Sequence, residues 1–311
     1  MKNVLPFNHN PKMKSYPFYS DYLGVLEAYG INVMPILYRY YFTLYYTPKI
    51  HQIGFRNFNK LQKLFDIEYF SLDNIKPLDF MKNKLNNNQY VEIVLNRKHF
   101  SSSKNDFFHN FLIYGYDDEK ESFFGCGFFK NDKGFMNYDK FDLSYSDFLN
   151  SLPKNGEKTA FENNIMNNHV FSLPNKLKIK NCNKKYIICQ ILAYYLAMPP
   201  IFFNISVYRR YIYVLKKHTN QKLDLRNFVT LYEHKQIIYS YLCDNLELSQ
   251  LTKKYKTDVL NKMYVALLLA IQFNLTRKVK ILNKIIDLFS YLYKKERNIL
   301  NKVVLVLLNR K

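Results

Sequence analysis

The sequence predicts an α+β fold: a mixed N-terminal half of helix and small antiparallel sheet, then an all-α C-terminal half. Three observations carry this. The runs Tyr90–Leu95, Asn110–Tyr116 and Ser122–Phe129 are short, β-branched or aromatic, and separated by polar turns, as in a strand meander. Beyond residue 170 apolar residues recur at helical spacing instead. Charge changes at the same place. Residues 1–170 hold 20 Lys+Arg against 18 Asp+Glu, whereas residues 171–311 hold 26 against 7.

That asymmetry sharpens a bulk property. The 311 residues carry 46 basic and 25 acidic side chains, a formal charge of +21. Enrichment in Lys, Asn, Ile, Tyr and Phe is what an AT-rich genome produces, but codon drift acts on both halves alike. Hydrophobic residues make up 48% of the chain, with 28 Tyr and 26 Phe, so wholesale disorder is excluded. The expected division is an α+β domain over 1–150, a linker over 151–170 and a basic helical domain over 171–311.

The elements follow in order. DYLGVLEAYG reads as a helix, with Ser20 or Asp21 as its cap and Gly30 as its end. Residues 36–46 (ILYRYYFTLYY) fit a strand or a buried helix, and periodicity does not decide between them. Residues 58–70 resemble a short amphipathic unit. After the meander, DKFDLSYSDFL is a strand edge running into a helix, with Ser144 and Asp147 as a loose capping box. The polar stretch 150–168, with Pro153 and Gly156, is the linker. Helices are then expected over 229–246, 258–275, 279–293 and 298–308. Between Tyr186 and Tyr208 lie 23 residues without a charge, enough to span a bilayer. Pro199-Pro200 interrupts them, so two buried helices meeting at that pair are expected rather than a membrane span.

Four cysteines (Cys126, Cys182, Cys189, Cys243) stand at irregular spacing, with no CxxC pair, and the seven histidines are scattered. No metal site, cofactor or structural disulfide is expected, and the absence of an apolar segment at the start fits a cytoplasmic setting.

One stretch points to chemistry. His109 enters the second strand of the meander, and Gly115-Tyr116-Asp117 closes it. HNFLIYGYDD, preceded by YVEIVL, resembles the histidine strand of papain-like bacteriocin-processing peptidases and of the related butirosin biosynthesis protein H-like family. DLRNFVTLYEHKQIIYSYL (Asp224–Leu242) resembles a helix of the same family, whose members accompany peptide-antibiotic assembly lines. The resemblance implies a papain-like N-terminal domain and an acyl-transfer site. In it a cysteine at the start of the first long helix attacks a thioester or peptide carbonyl, a strand histidine takes the proton, and an acid orients that histidine. His109 stands at the base position. No cysteine precedes residue 126, so Ser20 is the nearest substitute for the nucleophile, and Asp117 is the nearest acid. Each has a plainer reading beside it: Ser20 a helix cap, His109 a half-buried histidine, Asp117 a turn residue, Cys126 a small core residue, and His234 part of a solvated helix face.

Three functions compete. The first is an acyltransferase or amide-forming enzyme acting on a chain tethered to an acidic carrier protein. The second keeps the fold without the catalysis, as a protein that docks a carrier or assembly-line enzyme through its basic half. The third, nucleic-acid binding, is disfavoured, because no recognised nucleic-acid-binding motif is present and Lys greatly outnumbers Arg.

Overall fold

The computed structural model of the protein describes residues 1–55, 59–72, 75–100, 108–130, 136–153, 168–175, 177, 184–196, 205–217, 221–245 and 248–309. The elements in chain order are β1 (Lys2–Val4), α1 (Pro17–Ala28), α2 (Met34–Tyr40), β2 (Leu44–Thr47), β3 (Gln52–Phe55), α3 (Asn59–Gln62) and β4 (Asp66–Tyr69). Then come α4 (Pro77–Asn86), β5 (Tyr90–Asn96), β6 (Phe108–Asp117), β7 (Ser122–Lys130), β8 (Met136–Ser144), α5 (Tyr145–Ser151) and β9 (His169–Ser172). The helical remainder is α6 (Lys184–Leu196), α7 (Ser206–Lys217), α8 (Leu225–Cys243), α9 (Ser249–Tyr255), α10 (Asn261–Thr276) and α11 (Val279–Leu308). The chain is thus α+β, with an antiparallel sheet followed by a helical region.

Its two compact units are not cut where the sequence suggests. The first joins Met1–Asn32 to Leu61–Lys178, and the second joins Val33–Lys60 to Ile179–Lys311. The expected boundary at 150 misses two things. Part of the expected linker, with His169 at its end, leads into β9, an inner strand of the first unit's sheet. The ambiguous aromatic stretch 36–46 is both helix and strand, α2 running into β2, and it packs with the C-terminal helices.

The first unit is built on a seven-stranded sheet, antiparallel throughout, with six strands in the order β4-β9-β5-β6-β7-β8 and β1 paired with β6 beside them. One edge of β6 is shared: β5 pairs with it from Phe108 to Ile113, and β1 takes over at Gly115. A bulge separates the two stretches. Gly115 is needed there, because a Cβ would sit 2.8 Å from the Asn3 carbonyl oxygen. Ser144 caps α5 by accepting from the Asp147 amide, as the loose capping box predicts. The α1 cap is a correction. The helix starts at Pro17 with Tyr16 as N-cap, so Ser20 and Asp21 lie inside it, both buried. Pro at the first helical position costs no hydrogen bond, because that amide has no partner in any helix. Gly30, with φ of +70°, follows the helix end as expected.

In the second unit α8 is the central helix, packed against α10, α9 and the β2–β3 hairpin. Asn227 pins that hairpin: its side chain accepts from the Ile53 amide at 2.7 Å and donates to the His51 carbonyl at 2.8 Å. The helix α11 is continuous over 30 residues, where two separate helices are expected from sequence. Within Tyr186–Tyr208 the described residues form most of α6, up to Leu196, and the start of α7, from Ser206; Pro199-Pro200 lies outside the described residues. Among the described residues, the one helical stretch long and apolar enough to cross a membrane is Ser249–Thr276, and a third of its apolar window is buried. A single π turn over Lys256–Leu260 joins its two α-helical parts.

Partition of charge follows the units. The first contains 18 basic and 18 acidic residues; the second contains 28 and 7. The whole excess of +21 therefore belongs to the second unit.

Candidate functional site

Strand alternation decides which side chains of the meander can meet α1. Gly125 and Gly127 lie under the rings of Phe141 and Phe111, so Cys126 between them points to the opposite face. Cys126 pairs with Leu112, and Glu92 pairs with both Leu112 and His169. Cross-strand partners share a face, so Glu92, Asn110, Leu112, Cys126 and His169 form one side of the sheet. Helix α1 covers that side: the Tyr22 hydroxyl is 2.8 Å from His169 Nε2, and Tyr138 Oη donates to Asp21 Oδ1 at 2.5 Å.

His109 falls on the other side. It is one residue out of phase with Asn110, at the start of β6, and its ring lies 6.0 Å from that of Phe111 and 6.4 Å from that of Phe128. Its Nδ1 sits 3.0 Å from the Asn110 carbonyl oxygen. Ser20 is buried and its hydroxyl donates to the Tyr16 carbonyl at 3.1 Å. Asp117 closes the turn after β6: its Oδ1 accepts from the amides of Glu119 and Lys120, and Lys2 Nζ lies 3.4 Å from Oδ2. Eight residues along a strand separate it from His109, on the order of 26 Å. The three residues that the resemblance brings together in sequence are not brought together in space.

What faces α1 instead is a layer of buried polar groups. Asn110 Nδ2 donates to Glu92 Oε1, and Glu92 Oε2 lies 3.4 Å from His169 Nε2. Burial, with the Glu92 charge adding to it, pushes the Asp21 carboxyl well above the usual carboxylate range against the opposing Tyr138 hydrogen bond. Its Oδ2 is buried without a hydrogen-bond partner.

Toward the edge of this layer, His9 Nδ1 lies 3.2 Å from Cys126 Sγ. His9, with Lys2, Tyr114, Phe124, Lys140 and Asp142, lines an open cleft of about 650 Å³. Burial pushes the Cys126 thiol up, and the nearby Asp21 carboxyl adds to the effect. Burial, then the Lys140 charge, pushes the His9 imidazole down. Both groups are therefore neutral at pH 7, a thiol beside an imidazole rather than a thiolate–imidazolium pair. Cys126 itself has no exposed surface. Sequence reasoning placed Cys126 in the core but missed its partner, because 117 residues separate His9 from it and no spacing rule links them.

The second unit holds another buried cluster. His234, expected on a solvated face, has no exposed surface; its Nε2 donates to the Phe42 carbonyl at 2.9 Å and its Nδ1 accepts from Lys235 Nζ at 2.9 Å. Lys235 in turn pairs with Glu296, which accepts from Tyr255 Oη at 2.7 Å. This network ties α8 to α11, α9 and the Val33–Lys60 segment, a structural task. No group of three or more His, Cys, Asp or Glu suited to a metal ion occurs among the described residues.

No protein-family profile matches the chain, and no curated protein matches its sequence.

Proposed function

We propose that the protein is a catalytically silent relative of the papain-like butirosin biosynthesis protein H-like family, acting in peptide natural-product assembly. On this reading it docks an acidic carrier protein or assembly-line enzyme. One observation carries it: the first unit is electrically balanced, and the second concentrates the entire +21. A field of that size attracts an acidic partner over about a Debye length and raises its association rate at low salt. The dispersal of Ser20, His109 and Asp117 supports the loss of catalysis. The test is binding of the chain to a holo acyl carrier protein, followed by anisotropy. Affinity should fall at least about tenfold between ~30 and ~300 mM salt. A salt-independent affinity, or none at low salt, refutes the docking. Retardation of duplex DNA of equal strength under the same conditions would favour the nucleic-acid reading instead.

A second reading rests on the His9–Cys126 contact beside an open cleft. There Cys126, in place of the family's helix cysteine, would form a thioester with the acyl group as the carrier's C–S bond breaks, His9 taking the thiol proton and passing it to the departing carrier thiolate. Incubation with an acyl N-acetylcysteamine thioester and intact-mass measurement tests it. An acyl adduct absent from Cys126→Ala supports the thiol site; an unmodified chain leaves the silent reading.

A further inference from the structure

Helix α10 is packed on one side and largely exposed on the other, where Tyr264 keeps a ring contact with Tyr232 of α8. Met263, Ala266, Ala270 and Phe273 are buried. On the opposite side Tyr264, Val265, Leu268 and Leu275 are between 41% and 63% exposed. Val265, Leu268, Gln272 and Leu275 recur at intervals of three and four, the period of a helix–helix seam, with one amide among the aliphatic groups. Four large apolar side chains on one helix face of a strongly charged unit are the pattern that marks an interaction surface.

The surroundings of the stripe identify its occupant by charge. Lys253, Lys254, Lys256 and Lys262 are exposed before and at the start of the helix, and Arg277, Lys278 and Lys280 are exposed just after its end. Asp258 is the one carboxylate within this stretch from 253 to 280. A second copy of the chain would bring a like excess of +21 against this surface, a repulsion that disfavours self-association. Gln272 is exposed within the seam, where a partner helix can pair its amide and lipid chains cannot.

We infer that the exposed face of α10 is the docking surface for an amphipathic helix with aliphatic residues at seam spacing and acidic residues at both ends. This rests on the reading of the second unit as the face for an acidic partner, and it names where on that unit the partner sits. Apolar contacts along Val265, Leu268 and Leu275 supply the register, and the flanking lysines supply steering and orientation.

The experiment uses the full chain and a fluorescent peptide of about three heptads, with Leu at the seam positions and Glu beside them. Three double variants are compared. Leu268→Glu with Leu275→Glu alters the stripe, and Lys216→Gln with Lys217→Gln removes the same two units of charge from exposed positions of α7. Leu268→Ser with Leu275→Ser repeats the first without a charge change. The stripe variants should lose at least about tenfold in peptide affinity, while the α7 variant stays within about threefold. Equal losses in the stripe and α7 variants would overturn the surface. So would tight binding to vesicles of phosphatidylserine and phosphatidylcholine with none to the peptide, or a wild-type dimer that the stripe variants abolish. The same variants measured against the holo carrier protein separate the two claims. A carrier that binds wild type and stripe variants alike refutes this surface and leaves the docking function standing. A wild-type chain that binds no acidic probe at low salt refutes both.

Discussion

Lys235 Nζ lies 2.9 Å from Glu296 Oε2, and neither side chain has any exposure to solvent. A buried pair of this kind is costly to halve, because the remaining charge has lost both water and its partner. Glu296→Gln should destabilise the chain by about 3–5 kcal/mol in urea unfolding. Adding Lys235→Met to Glu296→Gln should recover part of that, since the amide still accepts from Tyr255 and no charge is left buried, while His234 Nδ1 loses its donor. A loss below about 1 kcal/mol for the single variant would show that water reaches the pair.

His234 makes stability pH-dependent on the acid side. Burial, and then the adjacent Lys235 charge, hold its pKa well below the ordinary value of 6.5. In the folded chain it stays neutral, whereas the unfolded chain takes up a proton as pH falls past about 6.5. The unfolded state then binds more protons, so this contribution to stability is present above pH 6.5 and is lost progressively below it. The loss is at most about 1.4 kcal/mol per pH unit. His234→Gln, which keeps a donor for the Phe42 carbonyl, should flatten that slope in unfolding curves taken between pH 4.5 and 7.5. An unchanged slope would assign the acid sensitivity to other groups.

Asp21 runs in the opposite sense. Its folded pKa is raised, so between the unfolded value near 3.8 and the higher folded value the unfolded chain releases a proton that the folded chain keeps. Stability from this group is complete below pH 3.8 and declines as pH rises through that window. Asp21→Asn leaves an acceptor for Tyr138 and removes the titration. It should raise stability at pH 7 by about 1–2 kcal/mol relative to wild type and leave it nearly unchanged at pH 4. A destabilised Asp21→Asn at neutral pH would mean that the carboxyl is ionised in the fold.

These two groups also show where the sequence is legible. The meander is readable because its strands alternate in a period of two between clear turns, and the capping Ser144 is local. His234 and Glu296 mislead for one reason: charge is a property of the residue, whereas exposure is a property of its partners. Lys294-Lys295-Glu296-Arg297 looks like a break between two helices, yet Glu296 turns inward to Lys235 and the apolar stripe of α11 runs on to Leu307. Strand β9 follows a stretch that reads as linker, because four residues pairing with distant strands leave no periodic mark. His109 fails by a single residue of phase, which no motif can register without knowing which sheet face the helix covers.

Cys126 offers the sharpest distinction between a silent protein and an active one. Its thiol has no exposed surface and is held protonated by burial, whereas Cys189 and Cys243 are exposed. In a Cys182→Ser background, an aromatic disulfide reagent at pH 8 should label two thiols quickly. The third should react only as fast as the sheet and α1 open locally, orders of magnitude more slowly, and at full rate in denaturant. His9→Ala should speed that third reaction by uncovering Cys126 from the cleft side. If the third thiol of the wild-type fold instead reacts as fast as the exposed pair, and His9→Ala slows it, the imidazole is activating the sulfur. The acyl-transfer reading would then displace the silent one.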